Sequence, residues 1–130
     1  MAGENILVVD DSVAVQEICR QTLESQGYRV TVASNGAAAV SYPDLPDVDL
    51  LIIDAHLRGV SGLETTKALK TDPELHTKPV LLLVPEEEVV DRESQNLYGA
   101  NGWLKKPFEP GVLANKVQVL LEEAQILQNG

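Results

Sequence analysis

Asp10, Asp11, Asp54 and Lys106 are the residues whose types and placement could do chemistry. Asp10 and Asp11 end the apolar run Ile6–Val9, and Asp54 ends Leu50–Ile53. Lys106 follows Trp103, Leu104 and Lys105. If these runs are parallel strands of one sheet, three carboxylates and an ammonium meet at one end of it. Carboxylates crowded into a low-dielectric cleft repel one another strongly, so the cluster calls for a cation. Hard oxygen donors suit Mg²⁺ or Mn²⁺, and Lys106 adds a second positive charge. An aspartate in such a place can act as a nucleophile and carry a phosphoryl group. The metal and the lysine would neutralise charge on the equatorial oxygens. Asp54, on the central run, is the candidate nucleophile, and Asp10 and Asp11 are candidate metal ligands. Taken singly, Asp10 or Asp11 could equally cap the helix that follows. Their joint placement with Asp54 and Lys106 favours the site.

The elements that would position these residues alternate in type. Continuous apolar runs at Ile6–Val9, Leu50–Ile53 and Val80–Val84 predict strands covered on both faces. Weaker strands are expected at Tyr28–Ala33, where Val30 and Val32 alternate as on an edge, and at Asn101–Leu104. Helical spacing covers Ser12 to Gln26 through Val15, Ile18, Cys19 and Thr22, with Gly27 as a stop. A short helix is expected over Asn35–Ser41, ended by Pro43 and Pro46. Ser61 and Glu64 form a capping-box pattern ahead of Leu63–Lys70. A fourth helix is expected over Glu86–Tyr98, acidic at its start. A fifth begins near Pro110 and runs to Leu127. Its core face is Leu113, Val117, Leu120, Leu121 and Ala124. Val112, Val119 and Ile126 lie on a flank that either widens that face or meets a partner.

Five strand–helix pairs in order predict a parallel α/β sheet with helices on both faces. The flavodoxin-like (βα)5 order 2-1-3-4-5 is the natural choice, with ligands at the carboxyl ends of strands one and three. The 130 residues fit a single domain, with 122–130 a helix tail or the start of a linker. The net charge of −10 argues against direct contact with nucleic acid or an anionic membrane. No apolar run approaches the ~20 residues of a membrane span, and no signal peptide is evident, so a cytoplasmic location is expected. One cysteine, Cys19, rules out an internal disulfide and reads as a buried hydrophobe.

Three motifs, in order along nearly the whole chain, resemble the receiver domain of two-component response regulators. They are Ile6-Leu7-Val8-Val9-Asp10-Asp11-Ser12; Leu51-Ile52-Ile53-Asp54 with Gly59 and Gly62-Leu63-Glu64; and Gly99-Ala100 with Lys106-Pro107-Phe108. The resemblance implies that Asp54 accepts a phosphoryl group from a histidine kinase or phosphotransfer protein in a phosphorelay. It implies that Asp11, assisted by Asp10, Asp54 and the backbone carbonyl of His56, holds Mg²⁺. It further implies that Lys106 contacts the phosphoryl oxygens and that the Lys106–Pro107 peptide is cis. Such a chain is a signalling domain rather than an enzyme in the ordinary sense. It would act through an output domain, a downstream protein or a homodimer of its fourth and fifth helices.

The sequence departs from that family at the switch positions. Val84 stands where a threonine or serine is usual, and it has the shape without the hydroxyl. Pro85 stiffens the following loop, and Trp103 is larger than the usual aromatic residue. Arg58 replaces a common proline and Ser61 a common aspartate. An atypical switch is therefore expected. The alternative is a pseudo-receiver that works through protein contacts without a phosphate cycle. An aspartate-nucleophile phosphatase would want an acid two residues past Asp54, where His56 stands.

Overall fold

The structure is a computed structural model that describes residues 3–88, 90 and 99–129, the last two by their backbone alone. Five parallel strands form one sheet: β1 (Asn5–Val9), β2 (Arg29–Ala33), β3 (Leu50–Asp54), β4 (Val80–Pro85) and β5 (Gly102–Lys106). Their order is β2-β1-β3-β4-β5, as the alternation predicts. Among the described residues the helices are α1 (Val13–Glu24), α2 (Gly36–Val40), α3 (Gly62–Thr71) and α4 (Pro110–Asn129), with a 3-10 turn at Leu45–Asp47. Here α4 is the helix that the sequence pattern places fifth. Among the described residues no helix is long and apolar enough to cross a membrane.

Strand pleating sends successive side chains to opposite faces, and each face of this sheet is covered. Leu7, Val9, Leu51, Ile53, Leu82 and Val84 pack on one side with Ala39 of α2 and Leu69 of α3. Ile6, Val8, Leu50, Ile52, Leu81 and Leu83 pack on the other with Cys19 and Leu23 of α1 and Leu113, Val117 and Leu120 of α4. Burying each such side chain contributes about 1.5–3 kcal/mol. This two-sided cover is why the central runs are continuous rather than alternating. The Cys19 thiol is pushed up to about 12, by burial first and by Asp10 second. It behaves as a small hydrophobe.

Helix starts follow their caps. Ser12, Asn35 and Ser61 each accept a backbone N–H with the side-chain oxygen, from Val15, Ala38 and Glu64. After α1 the chain turns at Gly27, whose φ of 92° lies in the left-handed region. Three expectations need correction. Glu86 and Glu87 form a turn, not the start of a helix. The Glu88 N–H donates to Pro85 O at 3.1 Å and closes that turn. Residues 89 and 91–98 of the expected fourth helix lie outside the described residues. β5 runs two residues further than expected, because Lys105 and Lys106 pair alongside Val84 and Pro85 despite their polarity. Ile18 is 42% exposed, and Leu23 takes its place in the core.

At the amino-terminal ends of the strands, Lys70 ties three segments together. Its Nζ donates to Asn101 Oδ1 at 2.7 Å, Lys78 O at 2.8 Å and His76 O at 3.3 Å. Asn101 Oδ1 also accepts the Val80 N–H at 2.9 Å. Lys70→Met is expected to destabilise the fold by about 1–3 kcal/mol at pH 7, measured by urea unfolding, because it strips a donor from partly buried acceptors. Burial lowers the Lys70 pKa to about 8. The folded chain thus releases this proton before the unfolded chain does. Unfolded chains bind more protons between pH 8 and the ordinary lysine range, so this group's contribution to stability increases with pH across that window. The gap between the unmodified chain and Lys70→Met should widen there.

Candidate functional site

The sheet brings the predicted chemistry together. β1 and β3 are neighbours with Val9 opposite Ile53, so the residues that follow, Asp10 and Asp54, emerge side by side. Asp11 comes next on the loop before α1. Carboxylate oxygens of Asp10, Asp11 and Asp54 lie within 4.8 Å of one another. β5, at the far edge, delivers Lys106 across β4. Its Nζ lies 2.9 Å from Asp10 Oδ2 and 3.3 Å from Asp54 Oδ2. The Lys106–Pro107 peptide is cis.

The three carboxylates are not equivalent. Asp10 is fully buried, Asp54 is 8% exposed, and the Asp11 side chain is 36% exposed. Burial raises the Asp10 pKa, against the pull of Lys106 and of the Ser12 N–H, which donates to Asp10 Oδ1 at 2.8 Å. Burial alone would lower the Lys106 pKa, but Asp10 and Asp54 together more than offset it and hold the ammonium charged. Gln16 donates its side-chain amide to the Asp10 carbonyl and ties α1 to the site. Around Asp54, the His56 N–H donates to Oδ1 at 3.0 Å. The His56 ring turns outward to Glu88 Oε1, 2.6 Å away. The exposed Arg58 guanidinium stands 3.8 Å from Asp11 Oδ2.

The residues present fit a hard divalent cation. The donor set is all oxygen, and Asp10 Oδ2 is buried with no well-directed hydrogen bond, its close neighbour being the Lys106 ammonium. Such an oxygen remains an acceptor for a cation. Asp10→Asn should keep the Ser12 contact, relieve a buried like charge and raise metal-free stability by on the order of 1 kcal/mol. The same change should weaken Mg²⁺ binding. Thermal unfolding with and without Mg²⁺ checks both halves.

Val84 is 2% exposed within the apolar cluster, and Trp103, half-buried, packs against that cluster from β5, where it pairs with Leu82, two residues before Val84. Two participants were not anticipated. The Glu88 contact with His56 had no signal, since the partners are 32 residues apart. The fit of Gly62 against Asp54 had one, the Gly62-Leu63-Glu64 motif itself. An ideal Cβ on Gly62 would lie 1.8 Å from Asp54 O.

Residues 6–118 match the family model described as the response regulator receiver domain. Among curated relatives, the chain is 30% identical over 95% of its length to the alkaline phosphatase synthesis transcriptional regulatory protein PhoP of Bacillus subtilis, of which it covers 51%. The chain thus spans about half the length of that relative. Among solved structures it is similar to the chemotaxis protein CheY4 of Vibrio cholerae, with a TM-score of 0.83 and 30% identity over 92% of this chain and 99% of that one. It is also similar to the signal receiver domain of a signal transduction histidine kinase from Syntrophus aciditrophicus, with a TM-score of 0.81 and 33% identity over 93% and 92%.

Proposed function

The chain belongs to the response regulator receiver domain family, and we propose that Asp54 is its phosphoacceptor in a Mg²⁺-dependent phosphorelay. The phosphoryl group would come from the phosphohistidine of a histidine kinase or phosphotransfer protein. The observation that carries this reading is the meeting of Asp10, Asp11 and Asp54 with the Lys106 ammonium at one sheet end. An Asp54 carboxylate oxygen attacks phosphorus, the P–N bond breaks, and the imidazole nitrogen leaves with the electron pair and takes up a proton. Lys106 holds positive charge beside the oxygens where negative charge develops. Asp10, Asp11, Asp54 and the His56 carbonyl would hold the metal, which supplies charge neutralisation at the phosphoryl oxygens. The domain covers residues 1–130, with 122–130 a helix tail or the start of a linker, and acts in the cytoplasm. Its partners are the kinase and an output domain or downstream protein. The exposed flank Val112, Val119 and Ile126 of α4 is a surface for a second copy or such a partner.

The switch is atypical in this reading. Val84 lies in apolar packing and offers no hydroxyl to a phosphoryl oxygen. That same observation favours the second reading, a module that binds its partner without a phosphate cycle. One experiment separates them. Mg²⁺ and then beryllofluoride are titrated while the fluorescence of Trp103 is followed, with Asp54→Ala as control and intact-mass detection of the adduct from a small phosphodonor. A metal response, then a mass adduct lost in Asp54→Ala, supports the phosphoacceptor. No adduct and no Mg²⁺ response supports the phosphate-independent module.

A further inference from the structure

Val84 leaves the end of β4 without a hydroxyl, yet another contact joins the loops at this end of the sheet. His56 Nε2 and Glu88 Oε1 are 2.6 Å apart, the one residue following β3 and the other following β4. The chain of contacts continues in both directions. The His56 N–H donates to Asp54 Oδ1 at 3.0 Å. The Glu88 N–H donates to Pro85 O at 3.1 Å, on the last residue of β4. Neither end is slack. Asp54 is held in the ladder opposite Leu83, and the Pro85 ring fixes its own φ. A change at the Asp54 carboxylate therefore has a short, contiguous route to the turn after β4.

We propose that the His56–Glu88 hydrogen bond links phosphorylation of Asp54 to the chain after β4, in place of the hydroxyl that Val84 lacks. This rests on the reading of Asp54 as the phosphoacceptor. Two changes accompany an acyl phosphate. The carboxylate becomes an anhydride, whose carbonyl oxygen is a weaker acceptor for the His56 N–H than a charged oxygen. A phosphoryl group carrying up to about two negative charges arrives at the same carboxyl end of the strands as Glu88. Both changes weaken the bridge. It belongs to the unphosphorylated state, and the turn at 85–88 is released when the phosphoryl group arrives. By linkage, a contact that favours the unphosphorylated state opposes phosphorylation to the same degree. Both side chains are partly exposed, which puts the coupling near the low end of the usual range, about fivefold.

The test uses the full chain with Mg²⁺ and beryllofluoride as the phosphoryl mimic, followed by backbone amide chemical shifts. The Lys106 amide reports occupancy of the site, and the Glu87 amide reports the turn. In the unmodified chain both move with one midpoint. In Glu88→Ala the Lys106 amide still moves, its midpoint falls about fivefold, and the Glu87 response is largely lost. Glu88→Gln, which keeps an acceptor for His56, retains the Glu87 response. A Glu87 response and midpoint in Glu88→Ala equal to those of the unmodified chain would overturn the link while leaving the phosphoacceptor standing. A silent Lys106 amide in the unmodified chain would remove both.

Discussion

Replacing Lys106 with alanine is expected to slow phosphoryl transfer to Asp54 by about a hundredfold to a thousandfold at saturating Mg²⁺, the usual loss when one preorganised charge is removed from a transition state. The ammonium lies 2.9 Å from Asp10 and 3.3 Å from Asp54, on a side chain only 25% exposed. It stands beside the Asp54 carboxylate and is partly shielded from solvent, so water substitutes poorly for it. The same change leaves Asp10 and Asp54 facing each other without a compensating cation. Metal-free stability should therefore fall, by about 3 kcal/mol as for one broken buried pair, and Mg²⁺ should restore part of it. Initial rates of adduct formation by intact mass, together with thermal unfolding at two Mg²⁺ concentrations, measure both effects. A rate equal to that of the unmodified chain would take Lys106 out of the chemistry.

Gly62→Ala is expected to destabilise the chain by about 3 kcal/mol and to slow phosphorylation as well. The added methyl would meet Asp54 O at 1.8 Å, Asp54 C at 2.6 Å and the Ala55 Cα at 2.9 Å. These are backbone atoms, so no rotamer change relieves the clash. The end of β3 cannot easily yield, because Asp54 pairs with Leu83 and the Ala55 N–H donates to Leu83 O at 2.9 Å. The first turn of α3 must move, or Asp54 must. A shift of about 1 Å at a reacting group costs roughly a hundredfold in rate. Urea unfolding and adduct formation are the measurements. A stability within about 0.5 kcal/mol of the unmodified chain would show that α3 gives way freely.

The parts of this fold legible in the sequence are those fixed by local pattern. β1, β3 and β4 stand out because both faces are buried and the runs are unbroken. The cap at Ser61 is legible because Glu64, whose N–H it accepts, lies three residues on in a capping-box pattern. The four residues of the site follow from the strand ends, since parallel strands leave their carboxyl ends together. β5 is harder to bound, because Lys105 points to solvent and Lys106 to the site, so neither carries an apolar signal. Ile18 has helical spacing but falls just off the buried stripe. Glu86 and Glu87 look like an acidic helix start, yet the backbone turns there on Pro85. What stays illegible depends on distant partners. Lys70 meets Asn101 across 31 residues, and His56 meets Glu88 across 32. The inequality of the carboxylates, Asp10 sealed and Asp11 open, is also set by packing and not by the adjacent letters.

The site's positive charge rides on the last strand of the sheet, and this orders events during translation. Asp54 leaves the ribosome about fifty residues ahead of Lys106, several seconds earlier at roughly 5–20 residues per second. Throughout that interval the nascent chain carries its three aspartates but not its lysine, and β4 has no β5 to pair with. If Asp54 is the phosphoacceptor, an incomplete chain is expected to be a poor one: a chain truncated before Gly102 should give no adduct with a small phosphodonor by intact mass, and an adduct there would show that β5 and Lys106 are dispensable.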